Sequence, residues 1–319
     1  MNDRLREIAR RYANRDRWTP GRVVFERMVR LSPNNAEAYA HLAFFVVKEG
    51  RYDTERGLTL LDRALTLDPQ CAIAWVYRAM ILGTLLAAED AHTALETARR
   101  MSSACEGRQR ALLEVDILRT RAWIDLDLWR LDDAIAGFER LVELCPESSS
   151  CILLATAYIQ AGRFEEGLRA AHAALSREPD DFRGFAYAGV ALLRLRRLDD
   201  ARACLASAIA LNPRSPLCHH TLAVASLGEG EVLAAEAHLR ASLRADRRYV
   251  TSRKLLADLC AQSGRTAEAR RHYRQAVAAF PGYTDAKAAL EALEGTTSSG
   301  GDRRPSRAGK GRFASATSA

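Results

Sequence analysis

A recurring interval of about 34 residues is the feature of this sequence that most restricts its fold. Proline stands at positions 33, 69, 146, 179, 213 and 281, and most of the intervals are close to that length or to a multiple of it. A fixed period of this size is typical of arrays in which one small unit of secondary structure is repeated and stacked. Ala, Leu and Arg are abundant and favour helices, so we expect the repeated unit to be helical.

Small residues recur at two positions of the unit. The eighth position holds Ala9, Ala43, Ala79, Ala122, Ala155, Gly189, Ala223 and Ala257. The twentieth holds Gly21, Ala91, Ala134, Gly167, Ala201, Ala235 and Ala269, while a two-residue insertion obscures it in the second unit. Small side chains let two helices approach closely where they cross, so each unit is predicted to be a helical hairpin.

Stretches such as Ala-Tyr-Ala-Gly at 186–189 and Ala-Ile-Ala-Leu-Asn-Pro at 208–213 complete this pattern. The sequence resembles the tetratricopeptide repeat (TPR) family over about nine-tenths of its length. The resemblance implies an all-α fold, a right-handed superhelical solenoid of about eight TPR helix-turn-helix units with a C-terminal capping helix at 284–294. The units are expected at about 2–35, 36–71, 72–105, 115–147, 148–181, 182–215, 216–249 and 250–283.

The period is interrupted once, because Ala134 follows Ala91 by 43 residues. The extra residues fall at about 101–114, where we expect a lengthened helix pair, since insertions are tolerated cheaply. The alternative is a hinge, or a polar notch that docks an acidic group of a partner. A pair of Asp125 with Arg78 or Arg121 would neutralise such a notch within the chain, which favours the lengthened helix pair.

The formal charge is +7, and residues 295–319 contribute five basic residues against one acidic residue, a net +4. This Gly/Ser/Arg-rich tail is predicted to be disordered, either as a solubilising terminus or in contact with an acidic surface. The remaining +3 is no strong sign of nucleic-acid binding. An apolar run long enough for a transmembrane helix and a secretory signal are both missing from the sequence, so a cytoplasmic protein is expected.

No motif for hydrolase, nucleotide-binding or metalloprotease chemistry occurs in the sequence, so we expect neither enzymatic activity nor a cofactor. The run Cys218-His219-His220 is a weak metal candidate, because consecutive helical residues point about 100° apart. Cys145 and Cys151 could form a disulfide only in an oxidising compartment.

In the TPR family the first helix of each unit lines the concave face, at its second, fifth, sixth, ninth, twelfth and thirteenth positions. We call these the inner-face positions. The resemblance implies a partner-binding groove that includes His41, Phe44, Tyr77, Met80, Arg119, Trp123, Leu153, Thr156, Tyr187, Val190, His220, Val224, Lys254 and Asp258. Its middle is apolar and aromatic, and its N-terminal end, with Arg6 and Arg10, is more basic.

Aromatic and apolar anchors are typical of protein interfaces. The family's Lys/Asn/Arg clamp for an acidic C-terminal peptide is not supplied by any three consecutive units. We therefore expect a scaffold or assembly adaptor that binds a segment of a protein or peptide partner. Association with nucleic acid through the basic tail, a role as regulatory subunit of a separately encoded enzyme, and self-association are the alternatives.

Overall fold

The computed structural model describes residues 2–13, 17–49, 53–85, 87–280 and 282–298. Throughout these ranges the regular secondary structure is α-helical, and the order of elements is a simple succession of helices. The helices are α1 Asn2–Ala13, α2 Trp18–Leu31, α3 Ala36–Glu49, α4 Thr54–Leu67, α5 Ala72–Thr84, α6 Ala88–Ser102, α7 Gly107–Asp127, α8 Leu131–Leu144, α9 Ser148–Gln160, α10 Phe164–Arg177, α11 Phe182–Arg194, α12 Leu198–Leu211, α13 Pro216–Gly228, α14 Val232–Ala245, α15 Val250–Gln262, α16 Thr266–Ala279 and α17 Thr284–Ser298.

The helices pack in successive pairs, α1 with α2 through to α15 with α16, as helical hairpins. The prolines at 33, 69, 146, 179 and 213 each lie in the turn after the second helix of a pair. Side-chain caps fix several helix starts. The Asp53 carboxylate accepts a hydrogen bond from the Arg56 amide at the start of α4, and the Ser215 hydroxyl accepts one from the Cys218 amide in α13. Pro216 occupies the first turn of α13, where its missing N–H would be unpaired in any residue.

Glycines at the two small positions lie in close contact with a facing helix. A Cβ atom at Gly189 would lie 2.6 Å from Cγ of Leu205, and one at Gly167 would lie 2.8 Å from Cγ1 of Ile159. The second repeat also has a close contact at its small position, since a Cβ atom at Gly57 would clash with Val47. Gly57 is therefore the small residue that the two-residue insertion hid in the sequence. The chain is an all-α helical repeat solenoid.

Above the level of the repeats, the chain divides into two larger compact parts. We call Met1–Pro213 unit 1 and Arg214–Ala319 unit 2 from here on. Unit 1 contains α1 to α12, and its core includes the fully buried side chains of Phe25, Leu61 and Phe138. Unit 2 contains α13 to α17, with a core around Leu239 and Tyr273.

The extra residues of the interrupted period belong to α7. This helix has 21 residues, whereas α6 before it has 15 and α8 after it has 14. A short turn at 103–106 precedes it, and Leu113, within the added turns, is completely buried. The suggested neutralising pair is replaced by others: the Asp125 carboxylate lies 3.2 Å from Arg130, and Arg78 pairs with Asp62 at 2.5 Å.

Helix α17 ends at Ser298, four residues beyond the capping helix expected at 284–294, so it includes the first residues assigned to the tail. The rest of the predicted tail, 299–319, lies outside the described residues. In the part of the chain that is described, no helix has the length and apolar character needed to cross a bilayer.

Candidate protein-interaction surface

At the N-terminal end of unit 1, the predicted groove residues pack against one another. The rings of Phe44 and Tyr77 are stacked, with centroids 4.9 Å apart, and the His41 ring lies 5.5 Å from that of Tyr77. The Nδ1 atom of His41 is 2.9 Å from the Tyr77 hydroxyl oxygen. His41 is only 1% exposed, whereas Phe44, Tyr77 and Met80 are half-buried. These side chains therefore form an internal cluster in addition to lining a surface.

Burial controls the ionisation of this cluster. It lowers the pKa of His41 to about 3, with a smaller contribution from the positive charge of Arg6. It also raises the pKa of the Tyr77 hydroxyl well above its usual value. Both groups are therefore neutral near pH 7 and act as hydrogen-bonding partners of each other.

Charged side chains surround the same cluster. Arg6 lies 2.9 Å from the Glu37 carboxylate, and Arg119 lies 3.2 Å from Asp116. Arg10 lies 3.7 Å from Asp116 and 4.0 Å from Glu147. The basic end predicted from Arg6 and Arg10 is thus balanced by carboxylates.

Farther along unit 1, the predicted groove residues from Trp123 to Val190 are half-buried and mostly apolar. The Trp123 ring on α7 contacts the edge of Phe138, with centroids 6.0 Å apart. Leu153 and Thr156 on α9, and Tyr187 and Val190 on α11, are also half-buried. The Thr156 hydroxyl donates a hydrogen bond to the Ile152 carbonyl, so its methyl group and not its hydroxyl is the available part. Three consecutive first helices therefore present partly exposed apolar side chains.

In unit 2, two of the four predicted residues form an ion pair. Lys254 lies 2.9 Å from Asp258, which also accepts a hydrogen bond of 2.5 Å from the Tyr273 hydroxyl. His220 is 3.0 Å from the Ser252 hydroxyl, and burial lowers its pKa to about 4. Val224 is the most exposed of the four, at 38%.

A shallow depression in unit 2 contains Asp258 together with residues that were not predicted. Its lining includes Leu227, Leu255, Leu259 and Gln262. Three of these residues occupy inner-face positions of their repeats: Leu227, Leu255 and Gln262. Taking all six inner-face positions of each repeat as groove residues would therefore have predicted them.

One surface residue that the sequence analysis missed is Trp129, in the turn between α7 and α8. It is 73% exposed and has a φ of 59°, a conformation that favours glycine. The corresponding turns of three other hairpins hold Gly162, Gly230 and Gly264, each with positive φ. Alignment of the turns would have exposed this substitution.

Metal and disulfide chemistry were weak candidates in the sequence. Cys218 is buried, and among the described residues no group of three or more His, Cys, Asp or Glu side chains could hold a metal ion. Cys145 and Cys151 are both free. The expected lack of a metal, a cofactor and an enzymatic activity stays a prediction.

Comparison with known proteins adds independent evidence on the family. Two tetratricopeptide repeat models match residues 152–216 and 250–293. Among curated protein sequences, none matches the chain significantly. A thermophilic TPR protein of Thermus thermophilus aligns over 56% of this chain and 98% of its own, with 23% identity and a TM-score of 0.52.

Two larger structures align over most of this chain. The Cut9–Hcn1 hetero-tetramer of the APC/C matches 91% of it, with 14% identity and a TM-score of 0.61, and yeast Tom70 matches 90%, with 16% identity and a TM-score of 0.61. This chain spans 55% and 61% of those chains, respectively. At these identities the likeness concerns the fold. The repeated helical hairpins and the two family matches identify the chain as a tetratricopeptide repeat protein.

Proposed function

We propose that this protein is a scaffold that binds a segment of a partner protein on the inner face of unit 1. The contact surface consists of Trp123, Leu153, Thr156, Tyr187 and Val190, on α7, α9 and α11. The observation that carries the proposal is that apolar side chains on three consecutive first helices are only half-buried. Partly exposed apolar side chains that recur on successive repeats are typical of interaction sites.

The chemistry of the surface favours a particular type of segment. Trp123 and Tyr187 supply large, rigid rings, which are frequent energetic anchors in protein interfaces. Leu153 and Val190 add aliphatic area between or beside them. An amphipathic helix, or an extended segment with apolar side chains, would bury this area, whereas a strongly charged segment would gain little from it.

The binding role requires neither catalysis nor a cofactor, and we assign it to the cytoplasm. All seven cysteines are free, which is the usual state of thiols in a reducing compartment. Burial raises the pKa of the Cys71 thiol to about 12, and it raises the pKa of the Cys151 thiol as well. Such thiols are poor nucleophiles and act as small apolar side chains.

Site-specific photo-cross-linking tests the proposal directly. A benzophenone side chain is introduced in place of Tyr187, and, as a matched control, in place of Trp129, which is exposed on the turn between α7 and α8 and outside the proposed contact surface. After irradiation in the native host, we expect a defined protein adduct at position 187 that is absent at position 129.

The adduct should also disappear when Trp123→Ala and Leu153→Ala are added to the position-187 variant. Identical adducts at positions 187 and 129 would contradict the proposal, as would an adduct at position 187 that persists after both alanine substitutions. RNA as the cross-linked species would favour the nucleic-acid alternative instead.

A further inference from the structure

The first helix of unit 1 contacts a helix that lies more than one hundred positions later in the sequence. The Arg6 guanidinium donates a hydrogen bond of 3.4 Å to the carbonyl oxygen of Gln109 in α7. Arg10, one turn later in α1, forms ion pairs with Asp116 of α7 and with Glu147, which immediately precedes α9. In an open solenoid each repeat contacts only its neighbours, so these contacts are exceptional.

The added turns of α7 make one of these contacts. Gln109 belongs to the segment 107–114, which has no counterpart in the other units, and Asp116 follows it on the same helix. The insertion therefore lengthens α7 so that the backbone at Gln109 comes within hydrogen-bonding distance of Arg6. This gives the interruption of the repeat a specific structural consequence.

Inner-face residues near this contact are covered. Arg6 is 4% exposed, Glu37 is 7% exposed and His41 is 1% exposed, although all three occupy positions expected to face a ligand. Phe44, Tyr77 and Met80 beside them are half-buried, as Leu153, Tyr187 and Val190 are farther along. The contact between α1 and α7 thus coincides with three deeply buried inner-face residues, Arg6, Glu37 and His41.

Some buried polar atoms at this contact have no hydrogen-bond partner in the described structure. They include Nε of Arg6 and Nε2 of His41. The two Arg10 ion pairs, at 3.7 and 4.0 Å, are longer than hydrogen bonds. Unpaired buried polar atoms are unfavourable, and long ion pairs that are partly exposed are weak. Opening the contact would let water satisfy these groups.

We propose that α1 and the added turns of α7 form a clasp that closes the inner face of the first four hairpins. The clasp, defined by Arg6, Arg10, Gln109, Asp116 and Glu147, opens to admit a polypeptide segment to the cluster of His41, Phe44 and Tyr77. The claim that the clasp admits a ligand rests on the proposed function. The opening and closing of the clasp is a property of the free protein and is tested separately. When the clasp is open, the binding surface extends to the cluster on α3 and α5.

Distance measurement by electron paramagnetic resonance tests the clasp in the free, full-length chain. Spin labels are attached through unnatural amino acids at positions 4 and 110, which are exposed on α1 and α7. We expect one narrow distance distribution in the wild type at low salt. In Arg6→Ala/Arg10→Ala, the distribution should broaden and move outward by about 5 Å or more, one turn of helix.

High salt provides an independent perturbation. In about 1 M NaCl the screening length falls to about 3 Å, so the wild type should shift in the same direction as the arginine variant. Arg11→Ala is the matched control, because Arg11 is an exposed arginine on the same helix. It should leave the distribution unchanged. A second label pair at positions 140 and 169, on α8 and α10, reports whether the rest of unit 1 stays folded.

An unchanged distance between positions 4 and 110 in Arg6→Ala/Arg10→Ala would overturn the clasp. If the reference pair also broadens in that variant, Asp116→Asn decides, since it removes charge from the α7 side and leaves α1 intact. Outward movement confined to the α1–α7 pair in Asp116→Asn supports the clasp, and an unchanged distance refutes it. Failure of cross-linking at position 187 with a mobile clasp would reject the proposed function alone.

Discussion

At the scale of single residues, His41 is the side chain whose environment differs most from expectation. The sequence places it on a ligand-binding face, but the structure buries it between Phe25 and Tyr77, with ring centroids 5.0 and 5.5 Å away. Burial, together with the charge of Arg6, lowers its pKa to about 3. An unfolded histidine titrates near 6.5, so the unfolded chain binds more protons at this site than the folded chain over the interval between those values.

Stability should therefore fall as the pH decreases from about 6.5 toward 3. Between pH 7 and pH 5, His41 alone should remove about 1–2 kcal/mol from the free energy of unfolding of unit 1. The measurement is urea denaturation at both pH values for the wild type and for His41→Gln, which lacks the titrating group. His172→Gln, on the exposed face of α10, is the control. Equal pH dependence in the wild type and His41→Gln would show that His41 is not buried in its neutral form.

At the scale of elements, α7 shows where sequence patterning reaches its limit. The interruption of the period locates the extra residues within a few positions, because the small residues on either side stay in register. Whether those residues form a loop, a hinge or a helix depends on what covers them. Leu113 is completely buried in the same core cluster as Leu61 and Ile81, and this distant contact makes the extra segment helical.

Leu113→Ala tests whether the added turns are an integral part of unit 1. Removing a fully buried leucine side chain should lower the free energy of unfolding by about 2–5 kcal/mol. Leu112→Ala, at the adjacent half-buried position, should cost about 1 kcal/mol or less. Urea denaturation of both variants provides the measurement. A cost at Leu113 as small as that at Leu112 would mean that these turns are held only loosely, as in the hinge alternative.

At the scale of the whole molecule, local and long-range features differ in how well the sequence predicts them. Hairpin formation depends on contacts within one repeat of about 34 residues, such as that between Gly189 and Leu205. The periodicity of the sequence is therefore enough to predict it. The pairing of Arg6 with the Gln109 carbonyl spans 103 positions and depends on the curvature accumulated over several hairpins. A single sequence carries no signal for that curvature. Consequently the fold was predictable, but the closure of part of the inner face was not.

Charge is also a property of the whole molecule, and it yields a prediction about nucleic acid. Residues 299–319 carry a net +4, while the other 298 residues carry only +3, and many of their arginines are paired with carboxylates. We therefore expect the full chain to bind a single-stranded RNA no more tightly than about 10⁻⁴ M at physiological salt, the weak limit of non-specific binding. Fluorescence anisotropy at several salt concentrations provides the measurement. Any binding seen at low salt should weaken strongly when residues 299–319 are deleted, because these residues carry more than half of the net positive charge. Binding near 10⁻⁶ M that survives the deletion and keeps its salt dependence would instead assign an RNA-binding surface to the helical repeats.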